Sequence, residues 1–101
     1  MATIILEHRF EGEPFDAERF ADAQRRNAPC LTIHGVQHTV SYVAPDGLRM
    51  ISVFEAPDCE AVRRTARQLG YRYDRVWPAT VVSPELETLY PVVQVARSGG
   101  L

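Results

Sequence analysis

The sequence predicts a single α+β domain of the ferredoxin-like type, with the element order β-α-β-β-α-β. Two segments with helical spacing of apolar residues lie among four segments of extended character, and an Asp-Gly turn joins the middle two extended segments. The length of 101 residues is that of one domain. Strand, helix, hairpin, helix, strand is the split β-α-β unit repeated twice. This order predicts one antiparallel sheet with both helices on one face.

The first strand and the first helix are predicted between residues 3 and 29. Apolar and polar side chains alternate over residues 3–10, which is typical of a strand with one buried side. Asp16 can cap a helix, and Phe15 can contact Phe20 across the first helical turn. We expect this helix to end near residues 27–29, because the residue before a proline disfavours helical backbone.

The central hairpin is predicted from two strands around a turn. The chain is expected to become extended from Leu31 onwards, with a strand over residues 36–43 and a partner strand over residues 48–55. Residues 44–47 read Ala-Pro-Asp-Gly, which favours a tight turn because Asp and Gly tolerate left-handed backbone. Strict alternation in the first of the two strands puts four side chains on one face: Val36, His38, Val40 and Tyr42.

The second helix and the fourth strand complete the pattern. Asp58 is the expected cap of a helix over residues 59–69, and Gly70 is its expected end. A strand over residues 75–82 follows. Pro78 lies inside it and cannot donate a backbone hydrogen bond, which predicts an edge position or a bulge.

Composition excludes several classes of function. The apolar fraction of 46% and charged fraction of 24% are those of a globular protein. The eleven basic residues are all arginine and are scattered in a chain of net charge −2, so no footprint for nucleic acid is expected. No apolar run is long enough for a membrane span, and the N-terminal run is too short for a signal peptide. We therefore expect a cytoplasmic protein in which Cys30 and Cys59 are reduced thiols.

Apolar residues occur on both faces of the predicted central strands, which indicates a partner. Two such sheets packed back to back form a dimeric α+β barrel, so we expect a homodimer. The domain is expected to span residues 1–83. Residues 84–101 are expected to be a C-terminal tail, with a helical turn over residues 84–90 and a valine-rich segment over residues 92–95 that acts as a dimer arm.

Two histidines and several aromatic residues are the candidates for chemistry. His8 and His38 lie on strand faces that are otherwise apolar, and a neutral imidazole in a pocket can act as a general base or bind a metal. Hydrogen-bonded histidines at the ends of a sheet are the alternative. We predict a catalytic pocket between sheet and helices lined by His8, His38 and Tyr42. Three further aromatic residues could line the pocket of a flat ligand, or could be packing residues: Tyr71, Tyr73 and Trp77.

The middle of the chain resembles a known family. The resemblance rests on the order and spacing of short segments, none specific alone: Ser41-Tyr42-Val43, Val53 to Asp58, Glu60 to Arg63, Ala66-Arg67, Gly70 and Asp74-Arg75-Val76. These segments are similar to a small bacterial family that is catalogued as a domain of unknown function and includes a nickel-binding, ferredoxin-like homodimer. The resemblance implies the same fold and a dimer.

The resemblance also implies where a metal would bind. The family's histidine and cysteine positions correspond here to Val40, Ser52 and Thr65. Nickel prefers imidazole or thiolate ligands, and none of these three side chains offers one. A transition metal is thus implied by the resemblance alone, and the residues predict no cofactor.

Two functions of different classes fit the sequence. The first is a dimeric binding protein that sequesters a small ligand or a transition metal. The second is a cofactor-independent enzyme, of the isomerase, cyclase or small-oxygenase type, that encloses an apolar or aromatic molecule between sheet and helices. A metal site requires clustered ligands, whereas such an enzyme requires an apolar pocket with one or two isolated polar groups.

Overall fold

The computed structural model describes residues 1–82 and Pro84. Its elements follow the predicted order, and the ferredoxin-like α+β fold is confirmed. The elements are β1 (Ala2–Arg9), α1 (Ala17–Ile33), β2 (Gln37–Val43), β3 (Arg49–Ala56), α2 (Cys59–Leu69) and β4 (Arg75–Ala79).

The four strands form one antiparallel sheet in the order β2-β3-β1-β4. β1 and β3 are therefore the central strands, and β2 and β4 lie at the edges. Pro78 lies in edge strand β4, as its missing backbone N–H requires. The first and second strands are separated by the third, which is the arrangement of a split β-α-β unit.

The core lies between the sheet and α2. Ile4 and Leu6 of β1 pack with Val62 and Ala66 of α2, and Ile4 is completely buried. α2 begins at the Asp58 cap, whose side chain accepts a hydrogen bond from the Ala61 backbone N–H at 2.8 Å. This helix buries one full stripe. By contrast, none of the described side chains of α1 is fully buried, so α1 lies loosely over the sheet.

The predicted end of α1 is wrong, because the helix continues through Pro29 to Ile33. Pro29 is exposed, so its ring lies on the solvent side of the helix. Two residues further on, Leu31 packs against the core cluster. Burial of Leu31 offsets the backbone hydrogen bond that proline removes. The expected extended backbone from Leu31 is therefore also wrong. The helix ends at Ile33 with His34 as its cap, and Gly35 follows with a φ of +70°.

The prediction that Val36, His38, Val40 and Tyr42 share one face is wrong, because β2 contains a β-bulge. His38 pairs with Phe54, but Val40 pairs with Val53, so two residues of β2 oppose one of β3. The extra residue, Thr39, reverses the alternation. His38 faces the helices, whereas Val40 and Tyr42 face away from them. Strict alternation cannot reveal a bulge, which inserts one residue without changing the composition of the strand.

The turn between β2 and β3 forms as predicted. Gly47 has a φ of +74°, and its backbone N–H donates to the Ala44 carbonyl at 2.8 Å. A side chain at this position would also meet Pro14, since an added Cβ would lie 3.1 Å from the Pro14 Cβ. The Phe15 backbone N–H donates to the Gly47 carbonyl at 2.7 Å. The hairpin thus anchors the segment that leads into α1.

β4 is shorter than the predicted strand over residues 75–82. Its last residue, Ala79, pairs with Thr3, so β1 offers almost no further partner beyond that point. The expected tail over residues 84–101, with its helical turn and its valine-rich arm, lies outside the described residues apart from Pro84. Within the part of the chain that the structure describes, no helix is long and apolar enough to cross a membrane.

Candidate functional site

An open groove lies between the first half of α1 and the end of β1. Its cavity volume is about 1020 Å³, which is at the upper end of the range for small-molecule sites. The segment that follows α2 forms its other wall, through Tyr71 and Tyr73. The aromatic lining consists of His8, Phe10, Phe15, Phe20, Tyr71 and Tyr73.

The rim of this groove carries charges of both signs. Four arginines and five carboxylates line it: Arg9, Arg19, Arg26, Arg72, Glu11, Glu13, Asp16, Asp22 and Asp74. Arg19 pairs with Glu13 at 3.4 Å, and both side chains are exposed, so the pair contributes little to stability. Asp74 accepts a hydrogen bond from the Arg9 backbone N–H at 2.8 Å, which fixes the segment after α2 to the end of β1.

The start of α1 is set by local interactions that the sequence predicted. The Asp16 carboxylate accepts hydrogen bonds from the backbone N–H groups of Glu18 at 3.0 Å and Arg19 at 3.2 Å. The rings of Phe15 and Phe20 contact each other, with centroids 5.3 Å apart. The cap and this contact together hold the first turn of α1 over the groove.

A row of aromatic rings runs under α1 across the helix-facing side of the sheet. Successive ring centroids are 4.5, 5.9, 5.3, 6.1 and 5.4 Å apart, within the range for edge-to-face and tilted pairs. The row consists of His8, Phe10, Phe15, Phe20, His38 and Phe54. The two histidines therefore share a face, as expected. Three phenylalanines separate them, and only His8 lines the groove.

The other predicted site residues divide between the two faces of the sheet. Tyr71 and Tyr73 line the groove beside His8. The expectation that Tyr42 shares a pocket with His38 is wrong, because the bulge turns Tyr42 to the face away from the helices, where it is 65% exposed. Trp77 lies on that same outer face, opposite Ile5, and its indole N–H donates to the Glu7 carboxylate at 2.7 Å.

His38 belongs to a chain of hydrogen-bonded side chains. Its Nε2 lies 2.8 Å from the Ser41 Oγ, and the Ser41 Oγ lies 2.7 Å from the Ser52 Oγ. Ser52 is buried, and His38 and Ser41 are half-buried. Partial burial lowers the pKa of His38 from its ordinary value of 6.5, and a backbone hydrogen bond at Val40 opposes that effect. His38 is therefore a neutral imidazole near pH 7.

We expect His38 to make stability depend on pH. Its pKa is lower in the folded state than in the unfolded state, so the unfolded state binds more protons below about pH 6.5. The free energy of unfolding should then fall as the pH is lowered from about 7 towards 5. Urea unfolding of wild type and His38→Gln across this range tests it: the wild-type slope should be the steeper. A constant difference between the two proteins at all pH values would contradict this prediction.

A second, smaller cavity of about 30 Å³ lies between the two helices over the sheet. Its lining is mainly apolar, and includes Leu6, Leu31 and Val62. The Asn27 side chain amide donates to the Tyr71 hydroxyl at 3.2 Å, so α1 is tied to the segment after α2 between the two cavities. A space of this size holds at most about one water molecule, and the larger groove is therefore the candidate ligand site.

The residues described contain no group of three or more histidine, cysteine or acidic side chains that could hold a metal ion. The three positions singled out for a metal also do not lie together. Val40 faces outward, whereas Ser52 and Thr65 are buried on the helix side. The Thr65 hydroxyl already donates to the Ala61 carbonyl at 2.8 Å.

Comparison with known proteins identifies the family. The family model described as "Nickel responsive protein SCO4226-like" matches residues 5–79, which is most of the chain. This chain belongs to the SCO4226-like family. The crystal structure of SCO4226 from Streptomyces coelicolor A3(2) is similar to it, with a TM-score of 0.70 and 17% sequence identity. The match covers 81% of this chain and 100% of SCO4226, and at this identity it shows the fold alone. No curated protein matches the chain.

Membership of the SCO4226-like family confirms the resemblance stated from the sequence. What sequence reasoning missed is the role of two serines and of Phe10. Ser41 and Ser52 meet only because the bulge brings Ser41 back to the helix side. Phe10 was visible as the end of an apolar alternation, but its contact with Phe15 depends on the turn between β1 and α1.

Proposed function

We propose that the protein is a cytoplasmic, dimeric binding protein whose ligand is a planar organic molecule with polar substituents. The observation that carries this proposal is the groove of about 1020 Å³ lined by His8, Phe10, Phe15, Phe20, Tyr71 and Tyr73. These rings share the groove with the nine charged residues of its rim, so the site suits a flat molecule that also carries polar groups. Charges at the rim can orient a polar substituent, while the rings bind the flat part of the ligand.

Nickel, which the family description names, fits the described residues poorly. Imidazole and thiolate are the ligands that this metal prefers. The His34 Nε2 already bonds the Gln68 side chain at 2.7 Å, and the His38 Nε2 bonds Ser41. Val40, Ser52 and Thr65 offer neither group. The family fold is thus retained here, and we infer that its ligand has changed from metal to an organic molecule.

The dimer is a second part of this proposal. The outer face of the sheet carries large apolar side chains in a continuous patch, which we call the outer patch: Ile5, Val40, Tyr42, Ile51, Val53 and Trp77. The carboxylates beside it are already bonded, Glu7 to Trp77 and Glu55 to Thr3. Because these carboxylates already have hydrogen-bond partners, the outer patch can pack against the same patch of a second copy without burying an unpaired charge. Free Cys30 and Cys59 are in keeping with a reducing cytoplasm.

A fluorescent aromatic probe, anilinonaphthalene sulfonate, tests the groove. We expect wild type to bind one probe per chain, and His8→Ala to bind it about three- to tenfold more weakly, because the ring that contacts Phe10 is lost. His34→Ala is the matched control, since His34 does not line the groove, and it should bind like wild type. Equal binding by all three proteins would contradict the assignment of the groove.

Calorimetric titration of metal-free protein with nickel tests the other half of the proposal. We expect no stoichiometric heat, because the imidazoles of His34 and His38 are engaged and the family's ligand positions are apolar or hydroxyl-bearing. Tight binding of one nickel per chain or per dimer would contradict the inferred change of ligand. The probe titration is independent of this result, so either half can fail alone.

A second candidate function is a cofactor-independent enzyme that acts on an aromatic molecule in the same groove. The position of His8 favours it, because a single imidazole in an aromatic pocket can serve as a general base. Loss of turnover with unchanged affinity in a His8→Gln variant would distinguish this candidate from simple binding.

A further inference from the structure

The hydrogen-bonded side chains at the edge strand β2 form a site distinct from the groove. Neither His38 nor Ser41 lines the groove, although both face the helix side of the sheet. Their separation, 2.8 Å between Nε2 and Oγ, is that of a nucleophile bonded to its base. The bulge at Thr39 creates this contact, and bulges are frequent beside active sites because they redirect a side chain.

We propose that Ser41 and His38 are a nucleophile–base pair able to accept an acyl group from an ester. With Nε2 unprotonated, His38 accepts the hydrogen bond from the Ser41 hydroxyl. Ser52 then donates its hydroxyl proton to the Ser41 Oγ at 2.7 Å. This bond satisfies the buried Ser52 hydroxyl and fixes the direction of the hydrogen bonds, which run from Ser52 through Ser41 to His38. The lowered pKa of His38 keeps the imidazole in its neutral, basic form near pH 7.

The ring of His38 is held by its surroundings. It contacts Phe20 of α1 and Phe54 of β3, with centroids 6.1 and 5.4 Å away. A base that is oriented by a third group is the general signature of an activated nucleophile.

A substrate can approach from the open edge of the sheet. β2 is an edge strand of the described sheet, and no described strand lies beyond it. His38 and Ser41 are half-buried and not enclosed. The neighbouring rings suit an ester with an apolar acyl group.

The proposed reaction is a balanced acyl transfer followed by hydrolysis. The Ser41 Oγ forms a bond to the carbonyl carbon, and its proton moves to the His38 Nε2. The bond from that carbon to the alcohol oxygen breaks, and the alcohol leaves with the proton from His38. Water then attacks the carbonyl carbon of the acyl-serine and gives a proton to the His38 Nε2. The bond from that carbon to the Ser41 Oγ breaks, His38 returns the proton to the Oγ, and a carboxylic acid leaves. No oxidant, reductant or metal is required.

Covalent labelling with a fluorophosphonate probe tests the pair. A bond should form between the Ser41 Oγ and phosphorus while the phosphorus–fluorine bond breaks and the proton passes to His38. We expect peptide mass spectrometry to place the label on Ser41 in the full chain. Ser41→Ala should abolish labelling, and His38→Gln should slow it at least about a hundredfold, since a positioned base contributes about that much.

Thr32→Ala is the matched control, because it removes an exposed side-chain hydroxyl that bonds the Ala28 carbonyl and takes no part in this network. It should still be labelled at Ser41. Circular dichroism of each variant checks the fold. Absence of label on folded wild type overturns the proposal and makes the network a structural one. Label on Ser52 instead overturns the assignment of Ser41 as the nucleophile. Binding of anilinonaphthalene sulfonate in the groove does not depend on either outcome, so the two proposals can fail separately.

Discussion

Replacing Ile4 with alanine should cost about 2–5 kcal/mol of unfolding free energy, a large part of the total stability of a small domain. Ile4 lies in central strand β1, is 0% exposed, and packs against Val62 and Ala66 of α2. The substitution removes apolar atoms that pack against α2, the only helix in the described chain that buries a full stripe. Little else can fill the space, because α1 contributes no fully buried side chain. Urea unfolding at one fixed protein concentration measures the change.

The chain offers a matched control for this substitution. Ile33 is 79% exposed at the last position of α1, and Ile33→Ala should change stability by no more than about 0.5 kcal/mol. Similar losses in the two variants would mean that Ile4 does not lie at the centre of the core. Unchanged stability of Ile4→Ala would contradict the packing of α2 on β1.

The elements that the sequence predicted well are those set by local rules. The caps at Asp16 and Asp58, the end of α2 at Gly70 and the turn at Gly47 each depend on a few adjacent residues. The edge position of Pro78 follows from one missing N–H. Such rules act without tertiary structure, so a sequence is enough to apply them.

The elements that the sequence did not predict depend on contacts between distant segments. α1 passes through Pro29 because Leu31 reaches the core, which a local rule cannot include. The bulge in β2 depends on pairing with β3, and it moved Tyr42 to the outer face. One inserted residue therefore separated a predicted site residue from His38 and brought Ser41 to it. Predictions of site residues therefore fail most easily where they assume regular alternation of side chains along an edge strand.

The same limit applies to the groove. His8, Tyr71 and Tyr73 were predicted as site residues from their positions on strands and near strand ends, and all three line it. Phe10 and Phe20 were assigned to alternation and to helix packing. The groove exists because α1 is held at its first turn and through the Asn27–Tyr71 hydrogen bond, which leaves space beneath it. No sequence pattern specifies such a gap.

Replacing Ile51 with arginine should convert the proposed dimer into a folded monomer. Ile51 lies on β3 in the outer patch and is 38% exposed in the single chain. Its cross-strand neighbour on β1 is Glu7, which can pair with the new arginine in the monomer. In the dimer the patch packs against its copy, so each subunit buries a charge there at a cost of about 3–5 kcal/mol. Association should weaken at least about a hundredfold.

Analytical ultracentrifugation at micromolar concentration measures this effect, with Ile51→Arg sedimenting as a monomer of about 11.4 kDa. Leu48→Arg is the matched control, because Leu48 is 40% exposed but lies in the turn before β3, away from the outer patch. It should remain a dimer. A wild type that sediments as a stable monomer would reject the homodimer. Each arginine disrupts association only where its own position is buried between the subunits. A dimer that survives Ile51→Arg and is lost in Leu48→Arg would therefore place the interface at the hairpin end and not on the sheet.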